Sequence, residues 1–549
     1  MDTLRNLLCG LLAAAALCAP ALALPPQDTD AGGGVSGSHF FATSSDFLIN
    51  QTTSFTQYEP SIAMRPDGQL VVVAWASAAG GDVYARVFNG VGVPLTNQIQ
   101  CDTTFTAGTQ DEPSVAVDDG GHFMVAWSDR QGNDGFDMGV FARIFNPNGT
   151  PIGPDFQVNV TAQQSQWEPF IAARPNNGGW VVGWSGTDGS KTYMRLYTVN
   201  GVPQTGEIEV AQFNAKQIDP VPAVWRDGSM FFTWVDFNGK GGAGNGTSVF
   251  GRYFDASGTP VGGEFQVNTT NPGDQREARL AADGIGRCVV VWEDHQTDAN
   301  ATDIHARRYS KLGFPLSAEW EVNTTKGADQ LKPQVACDWV GNFTVVWEDR
   351  SAGLGFGDVR AQRFNSQGQP LGTEFVVNSM LAGDQTMPDV AVDWAGEWFQ
   401  FGFATLGTTL DVDARRFRFT PLTQIGPAKT GQTFGMELDL PGSVNLYRYV
   451  LMSTGFNPGI PLPDGRKLEL NYDVLFGALL PDPSAGGAFT GVVGPMPADA
   501  TDLATFILPP NPALVGMTLQ VAAITLDLGQ PGLANQLRHV TNHLAIAVQ

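Results

Sequence analysis

The 549-residue sequence predicts an all-β fold: a seven-bladed β-propeller of four-stranded blades over residues 46–419, closed by an N-terminal strand and followed by a small β-sandwich over 420–549. Three observations carry this. First, Gln-x-x-Pro recurs at Gln57, Gln110, Gln166, Gln217, Gln275, Gln330 and Gln385, in steps of 51 to 58 residues; only the fifth copy departs, with Ala278 for the proline. A fixed period of this length signals a repeat architecture. Second, each copy holds four strand-sized segments rich in β-branched and aromatic residues, with no helical period. Third, the seventh copy stops after Arg415–Phe419 without a fourth strand, while Asp46-Phe-Leu-Ile-Asn50 stands as a spare copy of that strand before the first repeat. A ring in which the N-terminal strand completes the last blade accounts for both ends and leaves no long exposed sheet edge.

The elements follow in chain order. Residues 1–23 read as a signal peptide: Arg5 near the amino terminus, an apolar Leu7–Leu17 stretch, and small residues up to Ala21 and Ala23. No later run is long and apolar enough for a spanning helix, so no transmembrane segment is expected once the leader is cleaved. Residues 24–45, with Gly32-Gly-Gly34, read as a flexible linker. Within each repeat the first strand follows the glutamine. The second ends in Trp75, Trp127, Trp184, Trp234, Trp292 or Trp347, with Phe403 in the degenerate seventh copy. The third carries Arg86, Arg143, Arg195, Arg252, Arg307 or Arg415, and Gln362 in the sixth copy. The fourth is clearest as Glu-Phe-x-Val-Asn. After residue 419 the repeat ends, and about seven short segments separated by Pro and Gly turns suggest the sandwich.

Composition bounds the function. Thirty-one Lys and Arg against 55 Asp and Glu leave a formal charge of −24 and a pI near 4.5. Phosphate contacts need a basic surplus, so no nucleic-acid partner is expected. Three cysteines remain beyond the leader, Cys101, Cys288 and Cys337. They read as buried thiols rather than a disulfide framework, with a Cys288–Cys337 bridge as the alternative.

The candidate binding residues are acids that the propeller geometry brings to one face. Asp129, Asp236, Asp294 and Asp349 follow the repeat tryptophan by two residues; Asp82, Asp303, Asp358 and Asp411 open the third strand; Asp274, Asp329 and Asp384 precede the next blade. Together they suit a platform for a cation, sugar hydroxyls or a basic partner. Calcium is the cofactor to consider, although no calcium-loop spacing is present. The structural alternative is that these acids pair with the repeated arginines or cap turn amides. His295 and His305 flank one such turn in the fifth repeat only, which makes them the asymmetric feature of the ring. The glutamine ring either lines the channel mouth or satisfies groups where blades meet. His539 and His543 lack a third metal ligand, and Trp167 and Phe136 are the only obvious loop aromatics for sugar stacking. No catalytic residue is assigned, because no His-Glu-x-x-His, Gly-x-Ser-x-Gly or phosphate-cradling motif occurs.

Val290–Asp294, Asp303–Tyr309 and Gly258–Asn268 read VVWED, DIHARRY and GTPVGGEFQVN. In these motifs the repeat resembles an uncharacterised β-propeller class of secreted bacterial proteins. The tail, with Leu508-Pro-Pro and Thr541-Asn542, is similar to C-terminal sandwich domains of exported planctomycete-type or myxobacterial-type proteins. Both resemblances imply fold and export and bring no activity. Similarity to sialidase propellers is architectural only.

The resulting expectation is a secreted or cell-surface binding protein whose propeller face engages a glycan or an extracellular protein. Two alternatives stand beside it: an extracellular carbohydrate-active hydrolase or lyase using carboxylates at the channel mouth, and a structural envelope or matrix component. Acids paired within the frame favour a scaffold; acids converging in a cleft favour a site.

Overall fold

A computed structural model describes residues 40–419, apart from short stretches at 107, 162–163, 177, 187–190, 213–215, 238–245, 270–272, 296–300, 352–356, 382 and 407–408. Beyond 419 it describes strand segments alone. Ala42–Arg418 form one compact unit.

That unit is a ring of seven antiparallel four-stranded blades. Their innermost strands are Gln57–Met64, Gln110–Val117, Gln166–Arg174, Gln217–Val224, Gln275–Ala282, Gln330–Cys337 and Asp384–Val392. In the first six blades the strands follow one another in sequence order from the axis outwards. The seventh is completed from the amino terminus: Phe47 and Leu48 pair with Ala414 and Asp413. Phe40–Ala42, which the sequence places in the linker, is a further strand on Leu410–Phe419.

The second strands are near-continuous apolar runs such as Leu70–Ser77, buried at every position. They need to be, because each lies inside its sheet with a neighbouring blade on either face, as in any sheet covered on both sides. The six repeat tryptophans are fully buried there. Some third strands alternate, as in Asp82–Asn89, whereas Gly139–Phe145 and Ser248–Phe254 are buried almost throughout.

The joints between blades use the repeated polar residues. The repeated arginine reaches back to a carbonyl of the preceding blade's outer edge: Arg86 to Ile49, Arg195 to Val158, Arg307 to Val267 and Arg415 to Val377, at 2.7–3.0 Å. It also lies over the aromatic ring two residues on, for example 5.3 Å above Phe88. The acid that opens the outer-strand motif clasps the segment after the preceding outer strand. Glu374 accepts from the Thr324 and Thr325 amides and hydroxyls, Glu319 from Thr269, Glu207 from Thr161, and Asp46 from the Ser379 amide across the closure. The terminal asparagine accepts a third-strand amide, as Asn323 does from Ile304 at 2.8 Å.

Beyond residue 419 the described strands form three antiparallel sheets, one centred on Thr433–Asp439 and Thr501–Ile507, one on Tyr447–Ser453 and Thr518–Leu526, and a two-stranded pair of Ile460–Pro461 with Lys467–Leu468. The packing that would define a sandwich, and with it His539 and His543, lies outside the described side chains.

Candidate functional site

The acids after the repeat tryptophans are built into the frame. Asp129, Asp236, Asp294 and Asp349 are at most 3% exposed. Each accepts from its blade's glutamine: Asp129 from Gln110 at 2.8 Å, Asp236 from Gln217 at 3.3 Å, Asp294 from Gln275 at 3.4 Å and Asp349 from Gln330 at 2.8 Å. Asp129 also caps the Gln131 and Asn133 amides, and Asp349 that of Ser351. The glutamines continue the chain to the preceding blade, where Asn159 donates to Gln166 and Asn268 to Gln275. Asp303 and Asp358 accept from Asn323 and Asn378. His295 lies 3.1 Å from Glu293 and 3.0 Å from the Thr302 hydroxyl. His305 lies between Asp294 and Glu319. Burial pushes Asp294 up to about 6. Apart from the asparagine–glutamine bonds these contacts lie within single blades, so the acids do not gather at one point of the ring; Asp294 and His305 do meet, beside Glu319 in blade five. The repeated arginines serve carbonyls instead of these acids; the blade-six exception is Arg360, a different position, which joins Asp349 to Glu374.

A second set of acids does converge. In every blade the residue two after the glutamine has a positive φ: Glu59 52°, Glu112 51°, Glu168 49°, Asp219 58°, Glu277 50°, Lys332 50° and Met387 53°. At each of these positions the strand pairing skips, so each is a β-bulge. Left-handed backbone costs a non-glycine residue roughly 1 kcal/mol or more. Seven such positions are stored strain at the end of the innermost strands, where strain marks candidate sites. Five consecutive blades place an acid there; the sixth has lysine and the seventh methionine, so the ring's symmetry is broken.

Contacts between non-adjacent blades show that these side chains meet on the axis. The Arg279 guanidinium, from blade five, lies 5.0 Å over the Phe170 ring of blade three. It is 4.0 Å from Asp219 of blade four and donates to Glu277 at 2.8 Å. Glu168 hydrogen-bonds Asp219. Glu59 accepts from the Glu112 amide at 2.8 Å, and Glu112 accepts from the Glu168 amide and the Ser128 hydroxyl. The mouth grades from a wet rim to a dry floor: the side chains of Glu277 and Lys332 are 40% and 41% exposed, Asp219 is 4%.

Charge repulsion and burial set the protonation here. Burial, with Asp111 and Glu112 adding to it, pushes Glu59 up to about 7. Burial pushes Asp111 up to about 6 against the pull of Arg130. For Glu168, burial and then the charge of Asp219 drive the carboxyl far above its ordinary range. Like charges in contact cannot both ionise in a dry site. Burial pushes Asp219 up as well, so the pair holds a proton between its two carboxyls, with Glu168 as the donor to Asp219. Arg279 stays charged: burial opposes this, but Glu277, Asp219 and Glu168 outweigh it. The mouth thus offers carboxyl oxygens as acceptors beside a protonated carboxyl and a guanidinium.

The far end of the axis is capped differently. Arg226 lies 5.3 Å over Trp339 and 6.0 Å over Trp394, whose rings are 4.8 Å apart, from turns of blades four, six and seven. Trp394 donates its amide to Pro66 of blade one.

Sequence reasoning passed over the axial acids because it read Gln-x-x-Pro by its ends. The available signal was the residue before the proline, acidic in Gln57–Pro60, Gln110–Pro113, Gln166–Pro169 and Gln217–Pro220, and again before Ala278.

No protein-family model matches the chain, and no curated protein matches it. Among solved structures it is similar to a protein of unknown function from Dyadobacter fermentans, at 11% identity over 69% of this chain and 99% of that one, with a TM-score of 0.44. An alpha-L-arabinofuranosidase from Fusarium graminearum in complex with an iminosugar inhibitor gives 11%, 69%, 98% and 0.41. An alpha-L-arabinanase from Penicillium chrysogenum complexed with arabinobiose gives 11%, 68%, 99% and 0.37. No residue of this chain takes a role from these likenesses.

Proposed function

We propose that this chain is an exported binding protein that seats a glycan on the axial carboxylate mouth. The observation that carries the reading is the convergence of Glu168, Asp219 and Glu277 around Arg279, contributed by three successive blades, with Glu112 of the preceding blade beside Glu168. Sugar hydroxyls both donate and accept. The half-exposed Glu277 carboxyl oxygens would accept from them and Arg279 would donate, while the Glu168 proton stays committed to Asp219 at the floor. Bare cations such as calcium suit the site less well, since they favour six to eight ionised or carbonyl oxygens, and here a proton already relieves the charge. A hydrolytic reading is less favoured by the geometry: glycosidase carboxyls stand roughly 5 Å or more apart across the scissile bond, whereas Glu168 and Asp219 are hydrogen-bonded to each other. The leader over residues 1–23 supports export.

The test is a screen of the full chain against an array of neutral oligosaccharides, with and without calcium. Saturable binding that weakens at least tenfold in Glu277→Gln and Glu168→Gln, and persists in Asp303→Asn on the frame, supports the proposal. Binding unaffected by both axial substitutions, or no binding to any glycan, overturns it.

A further inference from the structure

Blade five differs from its neighbours at one register position, and the repeat supplies its own control. In four blades the residue two after the repeat tryptophan and the residue opening the outer-strand motif are both acids: Asp129 and Asp155, Asp236 and Glu264, Asp294 and Glu319, Asp349 and Glu374. The second residue beyond the start of the third strand is Phe141, Phe250, His305 and Arg360 respectively. In blade six the Arg360 guanidinium fills the space, Nε on Asp349 and one terminal nitrogen 3.0 Å from Glu374. The frame there holds a permanent cation. In blade five it holds an imidazole, which offers a ring nitrogen as a ligand where blade six has only donors.

His305 Nδ1 lies 3.0 Å from Glu319 Oε1 and 3.4 Å from Asp294 Oδ2, and the three ligand atoms all fall within 4.8 Å of one another. Ligand atoms about 2.0–2.2 Å from a tetrahedral zinc ion stand roughly 3.3 Å apart, close to both separations measured from His305. The far oxygens are already oriented: Asp294 Oδ1 accepts from Gln275, and Glu319 Oε2 accepts from the Thr269 amide at 2.6 Å and its hydroxyl at 2.8 Å. Outer hydrogen bonds of this kind fix ligating carboxylates in metal sites. The imidazole is 20% exposed, which admits the ion and a solvent ligand.

We infer that Asp294, His305 and Glu319 form a binding site for a zinc-like divalent transition-metal ion, with water completing the coordination. One nitrogen and two carboxylates suit zinc better than calcium, which needs more oxygens than this frame supplies. The inference is independent of the glycan reading, because the site lies in one blade and uses none of the axial residues.

The test is zinc titration of the metal-stripped, untagged full chain by calorimetry, with bound metal counted by elemental analysis. The expected result is one zinc ion per chain in excess of that held by His305→Phe and His305→Arg, and no heat with calcium. Both substitutions copy residues that the neighbouring blades already carry at this position. They should leave the thermal midpoint within a few degrees while removing that ion, and His295→Ala should retain it. Equal zinc uptake by the parent chain and by either substituted chain overturns the inference, as does the absence of stoichiometric uptake by the parent.

Discussion

Replacing Glu374 tests the clasp that joins blade six to blade five. Its side chain is 4% exposed. Oε2 takes the Thr324 amide at 2.7 Å, the Thr324 hydroxyl at 2.8 Å and the Thr325 amide at 3.3 Å; Oε1 takes the Thr325 hydroxyl at 2.6 Å and Arg360 at 3.0 Å. These donors hold the carboxyl below its ordinary range, although burial opposes them. In Glu374→Gln the amide oxygen can still serve the backbone amides. The first blade already does this, with Gln98 accepting from the Gln51 and Thr52 amides. What is lost is the Arg360 pairing and the charge on the remaining bonds, at about 1.5–3 kcal/mol per hydrogen bond to a charged group. The expected cost is therefore about 2–3 kcal/mol for Gln and about 3–4 kcal/mol for Ala. With an unfolding entropy of about 2.1 cal/mol/K per residue over roughly 380 residues, ~3 kcal/mol lowers the melting midpoint by about 4 °C. The assay is differential scanning calorimetry at several pH values. A carboxylate with a depressed folded pKa stabilises above its unfolded value of 4.5, and that contribution fades as pH falls through the folded value. The deficit of Glu374→Gln should accordingly shrink below about pH 4. An Ala variant melting with the parent at neutral pH would refute the clasp.

Further outcomes follow from the same contacts. Glu59 has a folded value of about 7 against 4.5, so the native state binds the extra proton and stability falls as pH rises between those values. Glu59→Gln should then melt higher than the parent at pH 8, by about 1–3 kcal/mol, and equally at pH 4, as thermal scans will show. Asn323 bonds the Ile304 amide, Asp303 and the Thr325 carbonyl. Asn323→Ala should cost about 2–4 kcal/mol in urea unfolding, because a buried amide loses its partner. Cys101 and Cys288 are buried free thiols with pKa values pushed up by burial. They should resist a thiol reagent in the native protein and react on unfolding.

The ring was legible because its period is long, regular and repeated seven times, and because the strand at Asp46–Asn50 has no other blade to complete. The second strands announced themselves as apolar runs, since burial on both faces leaves no polar alternation. The polar joints were legible as residue types but not as partners. The glutamine, the arginine and the outer-strand acid each recur with the blade, but most of their partners lie in the neighbouring blade. Glu374 meets Thr324, 50 residues away, and Arg307 meets Val267, 40 residues away. The pairing of acids with repeated arginines, weighed from recurrence alone, yields to geometry: the arginine points across the joint to a carbonyl, and the acid after the tryptophan meets glutamine. The axial acids were the hardest to see. Their convergence depends on a bulge that turns an otherwise ordinary strand residue towards the axis, and an alternation pattern does not reveal a two-residue skip.

The account rests most directly on Glu168 retaining its proton beside Asp219. Infrared difference spectra between the parent and Glu168→Gln, recorded at pH 8 in light and heavy water, read that proton as a protonated-carboxyl band. The account predicts that the parent shows a deuterium-sensitive band that the variant lacks. Identical spectra in that region would contradict it, since Glu168 would then be ionised beside Asp219 and Arg279 alone would balance the charge.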